Sequence, residues 1–71
     1  VTELPIAAVE RLIKKAGAAR VSRNAALALA EILEAIAMDV SQQAVKFSKH
    51  AGRKTVTSED INLAKRPRFP S

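Results

Sequence analysis

The chain has 71 residues and carries 12 Lys and Arg against 7 Asp and Glu, a formal net charge of +5. A chain of this length forms at most one domain, and its core is marginal unless disulfides, a metal or a partner subunit supports it. Because it has no cysteine and a single histidine, His50, we exclude a disulfide framework, expect no metal or cofactor, and expect oligomerisation.

The first predicted helix lies in the segment LPIAAVERLIKKAG. Pro5 is typical of a first helical turn and Gly17 of a left-handed stop. Between them, apolar residues recur at helical spacing and leave charged side chains outside. The apolar set is Ile6, Val9, Leu12, Ile13 and Ala16, and the charged set is Glu10, Arg11, Lys14 and Lys15.

After the break AARVS, Ser22 is a good N-cap, and no Gly or Pro follows until after Ala51. This predicts a helix of about 40 Å. Its main apolar stripe is Leu29, Ile32, Leu33, Ile36, Val40, Ala44 and Phe47, while Leu27, Met38 and Val45 fall on the opposite side. Such a helix needs cover from more than one direction. We therefore expect a second chain to supply what the short helices cannot.

The break GRKTV precedes a third predicted helix. Thr57 and Asp60 form a capping-box variant, Ile61, Leu63 and Ala64 carry the apolar face, and Pro67 ends the helix. The predicted fold is all-α, with short, long and short helices over residues 1–66 and a short basic tail at 67–71.

Three stretches carry a resemblance to the archaeal histones: ELPIA, AGAARVS and KHAGRKTVTSEDINLA. With the long helix between them, they extend from Glu3 to about Arg66. The resemblance implies the histone fold and a handshake dimer, in which two long helices cross antiparallel and the first break of one chain lies beside the second break of the other. It also implies that such dimers bind the DNA backbone and wrap the duplex.

The resemblance assigns DNA contacts to both breaks and to the first helix. Arg20 matches an arginine that enters the minor groove, where narrow walls focus the negative potential. Lys54 and Thr55 match phosphate contacts. Lys14 and Lys15 are equally typical of a solvated helix face. The complete DNA-binding set is Arg11, Lys14, Lys15, Arg20, Val21, Ser22, Lys54 and Thr55.

Other residues have structural roles in the family. Arg53 and Asp60 match an ion pair that holds the arginine inward, so that Lys54 points outward. Phe47, His50 and Asp60 match a contact between dimers, although a histidine at a helix C-terminus also relieves the dipole. Some members carry a basic residue where this chain has Ala26, which indicates a weakened DNA contact.

The sequence thus predicts a homodimer that binds, bends and wraps double-stranded DNA with little sequence preference and assembles further along it. We expect it on the chromosome, in the cytoplasm. One alternative is a histone-fold subunit of a transcription-related heterodimer, and pairing with another histone is also open. A second is a basic amphipathic protein on anionic membranes, although no stretch predicts a membrane span. An enzyme is the weakest alternative, because nothing assembles a nucleophile and a base.

Overall fold

The computed structural model describes residues 3–65, which form three α-helices and no strand. Helix α1 is Ile6–Lys15, α2 is Arg23–His50 and α3 is Ser58–Ala64. The predicted order of short, long and short helices is confirmed. The predicted tail at 67–71 lies outside the described residues.

Two glycines end the first two helices by the same local geometry. Gly17 (φ 119°) and Gly52 (φ 72°) have positive φ values, which glycine adopts without steric cost. After α1, the amide of Gly17 donates to the carbonyl of Lys14. After α2, the amide of Gly52 donates to the carbonyl of Lys49, and the amide of Arg53 donates to the carbonyl of Ser48. This paired pattern is the Schellman motif, which satisfies carbonyls at a helix end.

The helix starts differ from one another. Pro5, predicted in the first turn of α1, has an extended backbone and is the N-cap instead, without a side-chain cap bond, so the helix begins at Ile6. The Ser22 hydroxyl accepts from the amide of Ala25 at 3.0 Å, which confirms it as the cap of α2. Thr57 and Asp60 form a complete capping box at α3. Helix α3 ends at Ala64, before the predicted stop at Pro67, because Lys65 is already extended.

The chain divides into two compact units, Val1–Ile36 and Ala37–Ser71. The core of the first unit consists of three buried residues, Val9, Ala26 and Ala30. Partly buried apolar side chains surround it: Leu4, Ile6, Ile13, Val21, Leu29 and Leu33. The two alanines of α2 leave room for close packing against Val9 of α1.

The packing adds to one expectation about α2 and corrects another. Ala26 is completely buried and belongs to the core, while the weakened DNA contact at this position stays a prediction. The predicted stripe is also covered unevenly. Leu29 and Leu33 pack against the core, but Ile32, from the same stripe, remains 56% exposed.

Among the described residues of the second unit, the buried ones are Ala44 and Ser48 on α2 and Asp60 and Ala64 on α3. Of the apolar residues predicted to carry α3, only Ala64 is buried, and Leu63 is 69% exposed. The inward face of α3 is formed by Asp60 and Ala64, one turn apart, and Ile61 and Leu63 lie to either side of it. Among the described residues, no helix is both long enough and apolar enough to cross a bilayer.

Candidate nucleic-acid interface

Arg53 and Asp60 form a two-point contact between the second break and α3. The guanidinium donates from Nη1 to Oδ2 at 2.9 Å and from Nη2 to Oδ1 at 2.8 Å. The Asp60 side chain is 2% exposed, whereas that of Arg53 is 39% exposed. Bidentate geometry fixes the orientation of both planar groups. The pair therefore ties the chain after α2 to the first turn of α3.

Thr57 completes the environment of the Asp60 carboxylate. Its amide donates to Oδ2 at 2.8 Å, and its hydroxyl donates to the same oxygen at 3.1 Å. The hydrogen bond from Arg53, followed by that from the Thr57 amide, holds the pKa of Asp60 far below its usual range. The same bond raises the pKa of Arg53. Both groups are thus charged at neutral pH, although the carboxylate is buried.

Ser48 anchors the same loop from inside α2. Its buried hydroxyl lies 3.1 Å from the carbonyl oxygen of Arg53 and 3.0 Å from that of Thr55. The Thr55 carbonyl also accepts from Nη1 of Arg53 at 3.0 Å. Because one hydroxyl proton is shared between two acceptors, the loop backbone is held at both residues. Lys54 lies between these fixed points with its side chain exposed.

The first break has a different construction. Val21 is partly buried against the core of the first unit, while Arg20 and Ser22 on either side of it are exposed. An inward valine thus anchors the backbone between two residues that face solvent. Arg11, Lys14 and Lys15 are exposed on α1.

The predicted DNA-binding residues therefore form two groups. The first unit contains Arg11, Lys14, Lys15, Arg20, Val21 and Ser22, and the second contains Lys54 and Thr55. Every one of them except Val21 is exposed. The arrangement is suited to contact with phosphate, because exposed cations, hydroxyls and loop amides are the groups that bind nucleic-acid backbones.

Reasoning by motif overlooked Arg23, the first residue of α2. Positions 11–30 contain five cations and no acid, and Arg23 is the last of these cations. The rest of the chain has seven cations and seven acids, so its formal charge is zero. The whole net charge of the protein therefore resides in this segment. Counting charge along the sequence, rather than matching motifs, brings Arg23 into consideration.

The residues predicted to join two dimers have different surroundings. Phe47 and His50 line a shallow groove on α2, together with Gln43, Lys46 and Lys49. Asp60 is buried, and its Oδ2 already accepts from three donors, whereas Oδ1 accepts from Arg53 alone. Only Oδ1 retains capacity for a further donor. The shared role of these three residues stays a prediction.

Within the described part of the chain, no group of three or more His, Cys, Asp or Glu residues is placed to hold a metal ion.

Comparison with known proteins gives one consistent result. The model of the family described as "Histone-like transcription factor (CBF/NF-Y) and archaeal histone" matches residues 2–64. The chain is 61% identical over 62 residues to a subunit of the archaeal histone HAN1 from Thermococcus zilligii, covering 87% of this chain and 92% of that protein. It is 50% identical over 64 residues to probable archaeal histone 3 of Methanocaldococcus jannaschii, covering 90% and 96%.

Proposed function

Since this chain belongs to the family of histone-like transcription factors and archaeal histones, we propose that it packages DNA. It binds double-stranded DNA as a homodimer and bends and wraps the duplex with little sequence preference. Phosphate contacts supply most of the affinity. DNA with flexible base-pair steps is preferred, because such steps lower the free-energy cost of bending the duplex. The role is one of binding and not of catalysis.

The exposure of the predicted DNA-binding residues is the observation that carries the proposal. Seven of the eight have solvent-facing side chains, and five of these carry a positive charge. Repulsion between neighbouring surface cations raises the free energy of the unbound protein, and binding to a polyanion relieves it. They lie on α1 or in the two breaks, where helix geometry or loop hydrogen bonds fix the backbone from which they reach phosphates.

The second break supports the same function through its internal bonds. Asp60 engages Arg53, and Ser48 holds the carbonyls on either side of Lys54. Because the acid is buried by its own arginine, its charge does not compete with phosphate for Lys54. The loop thus presents Lys54 and the Thr55 hydroxyl without having to order itself on binding, which reduces the entropic cost of the contact.

Homodimer formation is supported by apolar surface that this chain leaves uncovered. In the first unit, Leu12 and Ile32 are exposed. In the second, Met38, Val45, Phe47, Val56, Ile61 and Leu63 are exposed. So many large apolar side chains on so small a protein indicate a surface for association.

Dimers assemble further along DNA through a contact that involves Phe47, His50 and Asp60. The protein is part of the chromosome, in the cytoplasm.

A second candidate is a heterodimer with another histone-fold chain. The Thermococcus zilligii relative is named as a subunit, and the family description includes transcription factors. Light scattering on the purified chain separates the two candidates. A stable dimer of this chain alone supports the homodimer, whereas a chain that folds only after addition of a second histone supports the heterodimer.

Nuclease digestion of protein reconstituted on a long duplex tests wrapping directly. If dimers wrap DNA and add one after another, protection appears as a ladder of regularly increasing fragment lengths. Uniform degradation at protein concentrations that saturate the duplex would contradict wrapping. Protection of a single short length would indicate binding without assembly.

A further inference from the structure

Arg23 lies in a segment whose charge is entirely positive. The cations of positions 11–30 are Arg11, Lys14, Lys15, Arg20 and Arg23. All five are exposed, and all lie in the first unit. Arg11, Lys14, Lys15 and Arg20 are already included in the proposed DNA-binding set. Arg23 shares their exposure and lies in the same acid-free stretch of sequence.

The Arg23 guanidinium has no partner within the described chain. Among residues 3–65, the ion pair found is that of Arg53 with Asp60, and no side-chain hydrogen bond involves Arg23. A guanidinium has five donors and no acceptor, so it is well suited to bidentate contact with a phosphate. The two arginines therefore differ: the guanidinium of Arg53 is bonded to Asp60, whereas that of Arg23 can still bind a phosphate.

The position of Arg23 is electrostatically unfavourable for the isolated protein. It is the first residue of α2, next to the Ser22 cap, and the first turn of that helix contains no acid. A cation at this end opposes the helix dipole. By contrast, the first turn of α3 contains Glu59 and Asp60. A residue that opposes its helix dipole, with no ion pair or side-chain hydrogen bond inside residues 3–65, is consistent with a function outside the chain.

We propose that Arg23 is a further phosphate-contacting residue, adjacent to Arg20 at the first break. The inference rests on the proposed DNA binding and concerns the side-chain charge, not the helix amides. In a homodimer, Arg23 adds two phosphate contacts, one from each chain. The first break then contributes two cations, Arg20 and Arg23, whereas the second break contributes Lys54, because Arg53 is bonded to Asp60.

The test measures the affinity of the full-length protein for a random-sequence duplex over a range of salt concentrations. Arg23→Gln is compared with Lys49→Gln, which removes the same charge from an exposed site in the last turn of α2. Because each Arg23→Gln dimer lacks two phosphate-binding cations, the slope of log K against log[salt] becomes shallower by about 2. Affinity near physiological salt falls about 30-fold if counterion release is the only loss. Arg23→Lys keeps the slope.

Thermal unfolding without DNA supplies the second measurement. We expect the midpoint of Arg23→Gln to equal or exceed that of the wild type, and the midpoint of Lys49→Gln to fall, because the two cations lie at opposite ends of the helix dipole. Arg23→Gln proteins that lose both stability and affinity would overturn the inference, since Arg23 would then act through the fold.

Failure of the inference is distinguishable from failure of the proposed function. If wild-type protein binds duplex DNA and Arg20→Ala weakens it, but Arg23→Gln and Lys49→Gln behave alike, only the role of Arg23 is wrong. If wild-type protein does not bind duplex DNA at any salt concentration, the proposed function fails and the role of Arg23 fails with it.

Discussion

Arg53 and Asp60 are joined by two parallel hydrogen bonds of 2.9 and 2.8 Å, which place a buried carboxylate against a partly exposed guanidinium. The contact connects two local motifs. Arg53 follows the Schellman turn that ends α2, and Asp60 is the acid of the capping box that begins α3. Each motif fixes the backbone of one partner, so the two side chains start from positions that are already close together.

The first prediction concerns acid stability. The folded-state pKa of Asp60 is lowered from its ordinary value near 3.8. The resulting stabilisation is therefore complete above about pH 4 and is lost as the pH falls from there toward the folded-state pKa. We expect the thermal midpoint to decrease over this range in wild-type protein, and the decrease to be smaller in Asp60→Asn. Glu59→Gln is the matched control, because Glu59 is exposed in the same helical turn. Equal acid sensitivity of Asp60→Asn and wild type would contradict the assignment.

The second prediction concerns Ser48, which holds the loop from inside α2. Ser48→Ala removes a buried hydroxyl that serves the carbonyls of Arg53 and Thr55, and we expect a loss of about 1 kcal/mol in the free energy of unfolding. Ser41 is exposed on the same helix, so Ser41→Ala should change that free energy by less than about 0.5 kcal/mol. Urea unfolding measures both. Because no cation is lost, the salt dependence of DNA binding should keep its slope in both variants.

Most helix boundaries were readable from the sequence because they depend on local chemistry; the end of α3, which lies before the predicted stop at Pro67, was not. Ser22, Thr57 with Asp60, and Gly17 each satisfy or terminate a helix through residues fewer than five positions away. Such motifs depend on residues that are close together in the sequence. The capping box and the all-α order therefore required no knowledge of packing.

The covered face of α2 was less predictable. Periodicity predicts that the large apolar residues are the most buried. The fully buried positions of this helix are instead Ala26, Ala30 and Ala44, whose small side chains let neighbouring segments pack close to α2. Ser48 was missed for a related reason. Its acceptors lie beyond the helix end, and they come within 3.1 Å only after the turn at Gly52 has reversed the chain.

The third prediction tests whether a second chain covers Ile32. This residue is 56% exposed in the single chain, so a charge there would be harmless to a monomer. If a homodimer buries it, Ile32→Asp places an unpaired carboxylate in an apolar contact, at a cost of several kcal/mol. We expect the variant to dissociate and lose helical content at concentrations where wild-type protein is dimeric, as followed by light scattering and circular dichroism. Ile32→Val, the control, should remain a dimer. An Ile32→Asp protein as stable as the wild type would show that this face stays open.

The fourth prediction separates binding from folding at Arg20. The side chain is exposed and forms no ion pair within the described residues, so Arg20→Ala should change the free energy of unfolding by less than about 0.5 kcal/mol. DNA affinity should fall for every duplex sequence tested, and the salt slope should become shallower by about 1 per chain. Arg20→Lys should restore the slope, yet wrap DNA less completely if the planar guanidinium enters the minor groove. Fluorescence anisotropy measures affinity, and nuclease protection measures wrapping. If Arg20→Ala unfolds, or if only some sequences lose affinity, Arg20 contributes to the fold or to base recognition instead of binding the backbone.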